Sequence, residues 1–395
     1  MASPARADSS AQPFVARLER LRRVVGEQGL SHLLITSPKD VGYLTGFLSG
    51  DSYLLLTPLT HKASRPVLIS DFRYQEELEP VKPLVDVVIR TTPMIEALAD
   101  ALGIAGGGGP AAGAAGEPAG KMGIQAEHMT VALKAALGRK LGAKRLADTQ
   151  GLVSRLRAIK DEAEIGLIRK ACRIQEQSLE AVLPTVKVGQ TEADVAAAIE
   201  AEMKRRGSSE PGFQTIVASG PASSLPHYRP GSKKIAAGKP LLIDWGAVHR
   251  GYHSDMTRVF CFAGPGGKWP AKIAEIYGVV LEAHELAAKA IAPGKTSTEI
   301  DAIARGHIAQ AGFAECFGHG LGHGIGLDAH EEPRLSNMLG RTRLEAGMVV
   351  TIEPGIYLPG VGGVRLEDDY AVTSEKGGGA VRLSSMPKDM GWASL

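Results

Sequence analysis

Residues 188–207, VGQTEADVAAAIEAEMKRRG, return 105 positions later as residues 293–312, PGKTSTEIDAIARGHIAQAG. Gly189 matches Gly294, Thr191 matches Thr296, Val195 matches Ile300 and Gly207 matches Gly312. Each copy reads as a glycine turn, a capped amphipathic helix and a closing glycine, the ordinary start and stop signals of a helix. Any two capped amphipathic helices share some of this pattern. The constant offset also fits two related halves facing each other across a site, and it predicts helices over 191–206 and 296–311.

Each half carries an acidic hairpin. In LLIDWGAVHRGYHSDMTRVFCF (241–262), a turn at His249-Arg250 sets Asp244 directly opposite Asp255, with Cβ atoms about 5 Å apart. Two carboxylates so placed in an apolar strand pair repel each other unless a proton or a cation lies between them. In VVTIEPGIYLPGVGGVRLEDDYAV (349–372), Glu353 and Glu367 flank a Pro/Gly-rich loop and repeat the geometry less tightly. Between the hairpins lies GHGLGHGIGLDAHEE (318–332), with His319, His323 and His330 among five glycines. Each interior glycine costs a helix about 1 kcal/mol relative to alanine, which argues against a helical HExxH zinc site. Four carboxylates and an imidazole can hold two divalent cations, which activate a water and stabilise a tetrahedral intermediate.

Before these halves the pattern alternates. Apolar runs at 32–36, 52–57, 66–70 and 85–90 read as strands, with helical patterns over 13–29, 94–103 and 131–142. That alternation indicates an α/β domain. RLRAIKDEAEIGLIRKACRIQEQSLEAVL (155–183) reads as one long amphipathic helix opening the second domain, with Asp161 and Glu164 placed as a capping box. The expected organisation is a disordered tail over 1–12, an N-terminal α/β domain over 13–155 with a flexible Gly/Ala-rich loop at 104–121, and a second domain over 156–395.

The bulk properties exclude several classes. The 395 residues are 44% hydrophobic and 22% charged with net charge +2, which implies neither a nucleic-acid nor a membrane partner. There is no run long and apolar enough to span a bilayer. The three cysteines, Cys172, Cys261 and Cys316, form no CxxC pair, so a cytoplasmic protein with reduced thiols is expected.

From about Arg157 to Thr373 the motifs PHYRPG, DWGAVHRGYHSDMTR, GHGLGHGIGLDAHEEP, TIEPGIY and GVRLEDDYAVT resemble those of the pita-bread metallopeptidases. The match is to the branch of X-prolyl aminopeptidases and X-Pro dipeptidases (prolidases). The first domain, with DVGYLTGF at 40–47, is similar to the creatinase-type domain of that branch. The resemblance implies an α/β creatinase-like domain followed by an α+β pita-bread domain with pseudo-two-fold symmetry. It implies hydrolysis of the bond between an N-terminal residue and a following proline, in proline-containing peptides, by a homodimer. It also implies two divalent metal ions, most suitably Mn²⁺, with Zn²⁺, Co²⁺ or Fe²⁺ compatible.

Residue by residue, the resemblance makes Asp244, Asp255, His323, Glu353 and Glu367 the metal ligands, with Asp255 bridging. It makes His227 and His330 catalytic, steadying the carbonyl or intermediate, with Glu353 as general base. His319 would line the proline-side pocket. Arg365 stands with the substrate-side residues, as a hydrogen-bond partner of a metal carboxylate or as an ordinary strand ion pair. The loop glycines would bring backbone close to the site with dihedrals closed to other residues. Two alternatives stand beside this reading. One is a methionine aminopeptidase-like activity, which uses the same five ligands. The other is a pita-bread binding protein without catalysis.

Overall fold

The computed structural model describes residues 12–48, 50–60, 64–104, 120–262, 269–338, 341–374 and 379–395. The expected tail over 1–12 and loop over 104–121 lie almost wholly outside the described residues. The chain divides into two compact units, Met1–Arg157 and Ala158–Leu395.

In the first unit, strands β1 (His32–Ile35), β2 (Tyr53–Leu56), β3 (Val67–Ser70), β4 (Asp86–Ile89), β5 (Met122–Gln125) and β6 (Leu146–Thr149) form a mixed sheet in the order β4-β3-β2-β1-β5-β6. Helices α1 (Gln12–Glu27), α2 (Pro38–Thr45), α3 (Met94–Ala101) and α4 (Val131–Leu141) accompany it. Leu34, Leu55, Ile69 and Ile124 from the sheet meet Leu98 and Leu137 from the helices in one buried core. The DVGYLTGF motif forms α2, capped by Ser37 and closed by Gly46 in the left-handed conformation.

The single helix expected over 155–183 is broken at the start of the second unit. Helix α5 (Ser154–Ala158) stops, and α6 (Glu162–Val182) restarts at the Asp161–Glu164 capping box. The cap itself causes the break: Asp161 is extended, and its carboxylate takes the Glu164 N–H in place of a helical carbonyl.

Thereafter the elements run in two parallel series. The first is α6, α7 (Glu192–Arg205), β7 (Ile216–Ser219), β8 (Pro240–Trp245), the ribbon β9 (Val248–His249) and β10 (Tyr252–His253), then β11 (Met256–Cys261). The second is α8 (Ala271–Ala290), α9 (Ser297–Gln310), β12 (Gly322–Gly324), β13 (Glu331–Leu335), β14 (Val349–Ile352), the ribbon β15 (Gly355–Leu358) and β16 (Gly362–Arg365), then β17 (Asp368–Thr373) and β18 (Gly379–Arg382). The sheets are β11-β8-β7 and β13-β12-β14-β17-β18, so β17-β14-β12 repeats the order β11-β8-β7. Helices α7 and α9 are displaced by the same 105 residues as the sequence copies, and both begin in capping boxes, Thr191 with Asp194 and Thr296 with Glu299. The turn before each helix makes the same backbone bonds, Gly189 N–H to Ile235 O at 2.9 Å and Gly294 N–H to Leu344 O at 2.8 Å.

Strand β8 is buried along its whole length. Leu241, Ile243 and Trp245 pack with Ile174, Ile199 and Met203 of α6 and α7, while Leu242 on the other face joins Ile276, Val280 and Ile300 of α8 and α9. A strand covered on both faces explains the unbroken apolar run before Asp244. It also carries that carboxylate into the interior.

Candidate metal centre

The first hairpin turns at Arg250-Gly251, where φ is 50° and 83°. Two positive φ values make the type I′ turn that suits strand twist, and glycine takes the second place without strain. The register therefore differs from the expected one by two residues. Thr257 stands opposite Asp244, and the pairing on either side places Asp255 across from Gly246. A two-residue shift preserves the face, so Asp244 and Asp255 still converge, as diagonal rather than direct neighbours. In the second hairpin Ile352 pairs with Asp368 and Gly355 with Arg365, which sets Glu353 directly across from Glu367. The tight pairing expected in the first half thus occurs in the second.

His323 sits on β12, between the hairpins. Oxygens and ring nitrogens of Asp244, Asp255 and Glu367 lie within 4.8 Å of one another, as do those of His323, Glu353 and Glu367, and those of Asp255, His323 and His330. Shared members join these groups into one cluster. The glycines around it are needed for close approach, not for unusual dihedrals. None of Gly318, Gly320, Gly322, Gly324 or Gly326 has positive φ, but a Cβ on Gly322 would stand 2.0 Å from Thr351 O and one on Gly324 2.1 Å from Glu332 O.

His323 is buried, and its Nδ1 lies 3.1 Å from Gly324 O. A carbonyl only accepts, so Nδ1 carries the proton and Nε2 offers its lone pair. That Nε2 lies 3.4 Å from Glu353 Oε1 and 3.7 Å from Asp255 Oδ2. Burial, then the nearby His330, hold His323 well below its ordinary pKa, so the ring is neutral.

The carboxylates move the other way. Burial first, then mutual repulsion, raises Asp255 and Glu367 well above the usual carboxylate range. Burial raises Asp244 against the opposing effect of Arg365, and lifts Glu353 to about 8. Asp244 Oδ1, Asp255 Oδ1 and Glu367 Oε1 are buried and accept no hydrogen bond. A buried anion without a partner is costly, and a neutral imidazole lone pair beside orphaned carboxylate oxygens is the donor set of a divalent cation site. The residues fit such ions.

Around the cluster, Arg365 donates from Nη2 to Asp244 Oδ2 at 2.6 Å, from Nε to Thr257 Oγ1 at 3.0 Å and from Nη1 to Tyr357 Oη at 2.9 Å. Thr257 Oγ1 in turn donates a hydrogen bond to Glu367 Oε2 at 2.7 Å. Asp369 Oδ2 receives the Asp255 backbone N–H at 3.1 Å and the Cys172 thiol at 3.3 Å. His319 has both nitrogens committed, Nδ1 to Gly320 O and Nε2 to Tyr357 Oη, each at 2.8 Å. Its ring lies edge-on to Phe317 and against Tyr357. His330 is exposed, with its ring centroid 3.9 Å from that of His323. His227 is exposed in the loop after residues 220–224, outside the ligand cluster, yet near enough for its charge to bear on Asp244, His319 and His330.

The sequence profile of metallopeptidase family M24 matches residues 166–374, more than half of the chain. The chain belongs to that family. The Creatinase/Prolidase N-terminal domain matches residues 17–159. An Xaa-Pro dipeptidase of Pyrococcus furiosus is 33% identical over 377 residues, covering 95% of this chain and 99% of the relative. Among solved structures, an Xaa-Pro dipeptidase from Bacillus anthracis is similar with TM-score 0.86 at 34% identity, covering 97% of this chain and 100% of that one. An X-Pro aminopeptidase from Thermotoga maritima is similar with TM-score 0.80 at 30% identity, covering 96% and 99%. The pita-bread fold and creatinase-like first domain are thus borne out, and membership of a metallopeptidase family implies divalent metal ions. Among the described residues no helix is long and apolar enough to cross a membrane.

Sequence reasoning did not find Thr257, Tyr357, Asp369 or Cys172. Thr257 carried one usable signal, its place two residues after Asp255 on the same strand face. Cys172 carried none, since its helix reads as ordinary core.

Proposed function

We propose that this protein is a metal-dependent exopeptidase that hydrolyses the bond between an N-terminal residue and a following proline, as an X-Pro aminopeptidase or X-Pro dipeptidase. The observation that carries this is the cluster of orphaned carboxylate oxygens around a neutral imidazole. The Xaa-Pro dipeptidase and X-Pro aminopeptidase similar to this chain over almost its whole length supply the substrate class. Asp244, Asp255, His323, Glu353 and Glu367 would hold two divalent cations, with Mn²⁺ the best match to four carboxylates and one imidazole. Such ions supply Lewis acidity and lower the pKa of water.

The chain's own groups do the rest. Glu353 is the most accessible carboxylate of the cluster, its side chain 17% exposed. It takes the proton of the attacking water and passes it to the leaving proline nitrogen, as general acid–base catalysis requires. His330 and His227 donate to the carbonyl oxygen as negative charge develops there. Removing one such donor costs about 10²–10³ in rate. An X-Pro bond has no N–H, so recognition rests on shape. His319, with no free nitrogen, contributes a ring wall for the pyrrolidine. Arg365 fixes Asp244. The reading includes a cytoplasmic homodimer, the assembly the resemblance implies, and three unpaired cysteines suit that compartment.

The test is parallel hydrolysis of Ala-Pro, Gly-Pro-Ala and Met-Ala-Ser with added Mn²⁺. Cleavage of the proline peptides is expected. Faster cleavage of Met-Ala-Ser would transfer the assignment to methionine aminopeptidase activity.

A further inference from the structure

Behind Glu367 lies a second buried polar cluster, made of residues outside the ligand set. Arg258 on β11 is fully buried, and every one of its five N–H donors is bonded. Nε donates to Pro387 O at 2.8 Å, Nη1 to Thr257 O at 3.0 Å and to Glu367 O at 2.6 Å, and Nη2 to Asp368 Oδ1 at 2.7 Å and to Met386 O at 2.9 Å. Asp368, also fully buried, accepts in addition from Ser384 Oγ at 2.6 Å and Lys388 Nζ at 2.9 Å, with Arg382 Nε at 3.4 Å and His284 Nε2 at 3.5 Å. The segment that supplies these partners is tied in turn to α6, where Glu176 accepts from Ser385 Oγ at 2.9 Å and Met386 N at 2.7 Å.

Thr257 and Glu367 come from opposite halves and are joined three ways. Glu367 N–H donates to Thr257 O at 3.2 Å, Thr257 Oγ donates to Glu367 Oε2 at 2.7 Å, and Arg258 Nη1 spans both carbonyls. A buried ion cluster is a poor way to gain stability, since apolar side chains of the same volume serve as well or better. What apolar side chains cannot do is hold two carbonyls from two strands at a fixed separation.

We infer that Arg258 and Asp368 are positioning residues for cation binding: they set where Glu367 presents its carboxylate against Asp244 and Asp255, and residues 384–388 hold them in place. This rests on reading Glu367 as a metal ligand. Lysine in place of Arg258 keeps the charge but loses the planar fork that reaches both carbonyls, so charge alone does not suffice.

The test is calorimetric titration of metal-stripped full-length protein with Mn²⁺ alone, alongside melting of the metal-free form. Asp368→Asn and Arg258→Lys should weaken Mn²⁺ binding 10–100-fold, the range for residues that orient a metal ligand. The Mn²⁺ concentration giving half-maximal Ala-Pro hydrolysis should rise by the same factor. The double variant Ser384→Ala/Lys388→Met, which leaves the Arg258–Asp368 pair intact, should weaken binding by about tenfold, at the low end of that range. It decides the matter if Arg258→Lys does not fold. Variants that melt lower yet bind Mn²⁺ with wild-type affinity would show a purely structural cluster and overturn the inference. A wild type that binds no Mn²⁺ would instead overturn the reading of Glu367 itself.

Discussion

Asp369 gives a prediction whose size follows from the structure. It is fully buried on β17 beside Asp368, and Oδ1 accepts no hydrogen bond. Burial outweighs the hydrogen bonds from Asp255 and Cys172 and lifts its pKa from 3.8 to about 7. An acid whose pKa is raised by folding binds more protons folded than unfolded between those two values. Its stabilising effect is complete below pH 3.8, declines as pH rises, and is gone above about 7. A shift of that size corresponds to about 4 kcal/mol of stability lost by pH 8. Glu353, raised to about 8, acts in the same direction.

Asp369→Asn removes the titration. The amide can still present an oxygen to the Asp255 N–H and the Cys172 thiol, and any cost of the amide itself is independent of pH. The assay is denaturant unfolding of metal-free protein at pH 5, 6, 7 and 8, followed by tryptophan fluorescence. All three tryptophans, Trp245, Trp269 and Trp392, lie in the second unit, so the signal reports that unit alone. Wild type should lose stability from pH 5 to 8, and the variant should lose about 2.5 kcal/mol less over that range, the part of the shift that falls above pH 5. Saturating Mn²⁺ should flatten the wild-type profile by supplying the missing counter-charge. A wild-type stability that is level or rises from pH 5 to 8, or a variant with an undiminished slope, would show that Asp369 is not held protonated by burial.

His330→Ala and His227→Ala should each lower kcat about 10²–10³-fold with metal content near wild type, whereas His323→Ala should lose metal and activity together. Metal analysis and kinetics on the same protein batches separate these outcomes; a His330→Ala protein that loses metal would reverse the division of labour. Gly322→Ala puts a methyl group 2.0 Å from Thr351 O, so β12 and β14 must part. Overpacking of this kind costs about 1–3 kcal/mol or more, and a melting temperature equal to wild type would show that the strands yield freely.

The 105-residue echo was legible because caps and amphipathic spacing are local signals, and the structure puts both helices where that spacing placed them. The carboxylates and His323 stood out because charged and imidazole groups inside apolar runs are conspicuous. Register was not legible to the residue. His249-Arg250 and Arg250-Gly251 are both possible turns, and only the second puts glycine where φ is 83°. Strands β5 and β6 went unread, being four residues each beyond a Gly/Ala-rich stretch that hides the alternation. Arg258 was invisible for another reason. Its five partners are carbonyls and a carboxylate up to 129 residues away, and a lone arginine in a strand says nothing of them.

On the proposed reading, five residues from two related halves hold divalent ions, and an X-Pro bond is hydrolysed there. The most direct test is to strip the protein of metal and titrate it with Mn²⁺ while following both bound ion and Ala-Pro hydrolysis. Hydrolysis should start from nothing and level off as the second ion per chain binds, and Asp255→Ala, lacking the carboxylate that stands between both halves of the cluster, should show neither binding of the full complement nor turnover. Metal-free protein that hydrolyses Ala-Pro at the full rate, or Asp255→Ala protein that keeps it, would show that these five residues do not hold the ions on which hydrolysis depends.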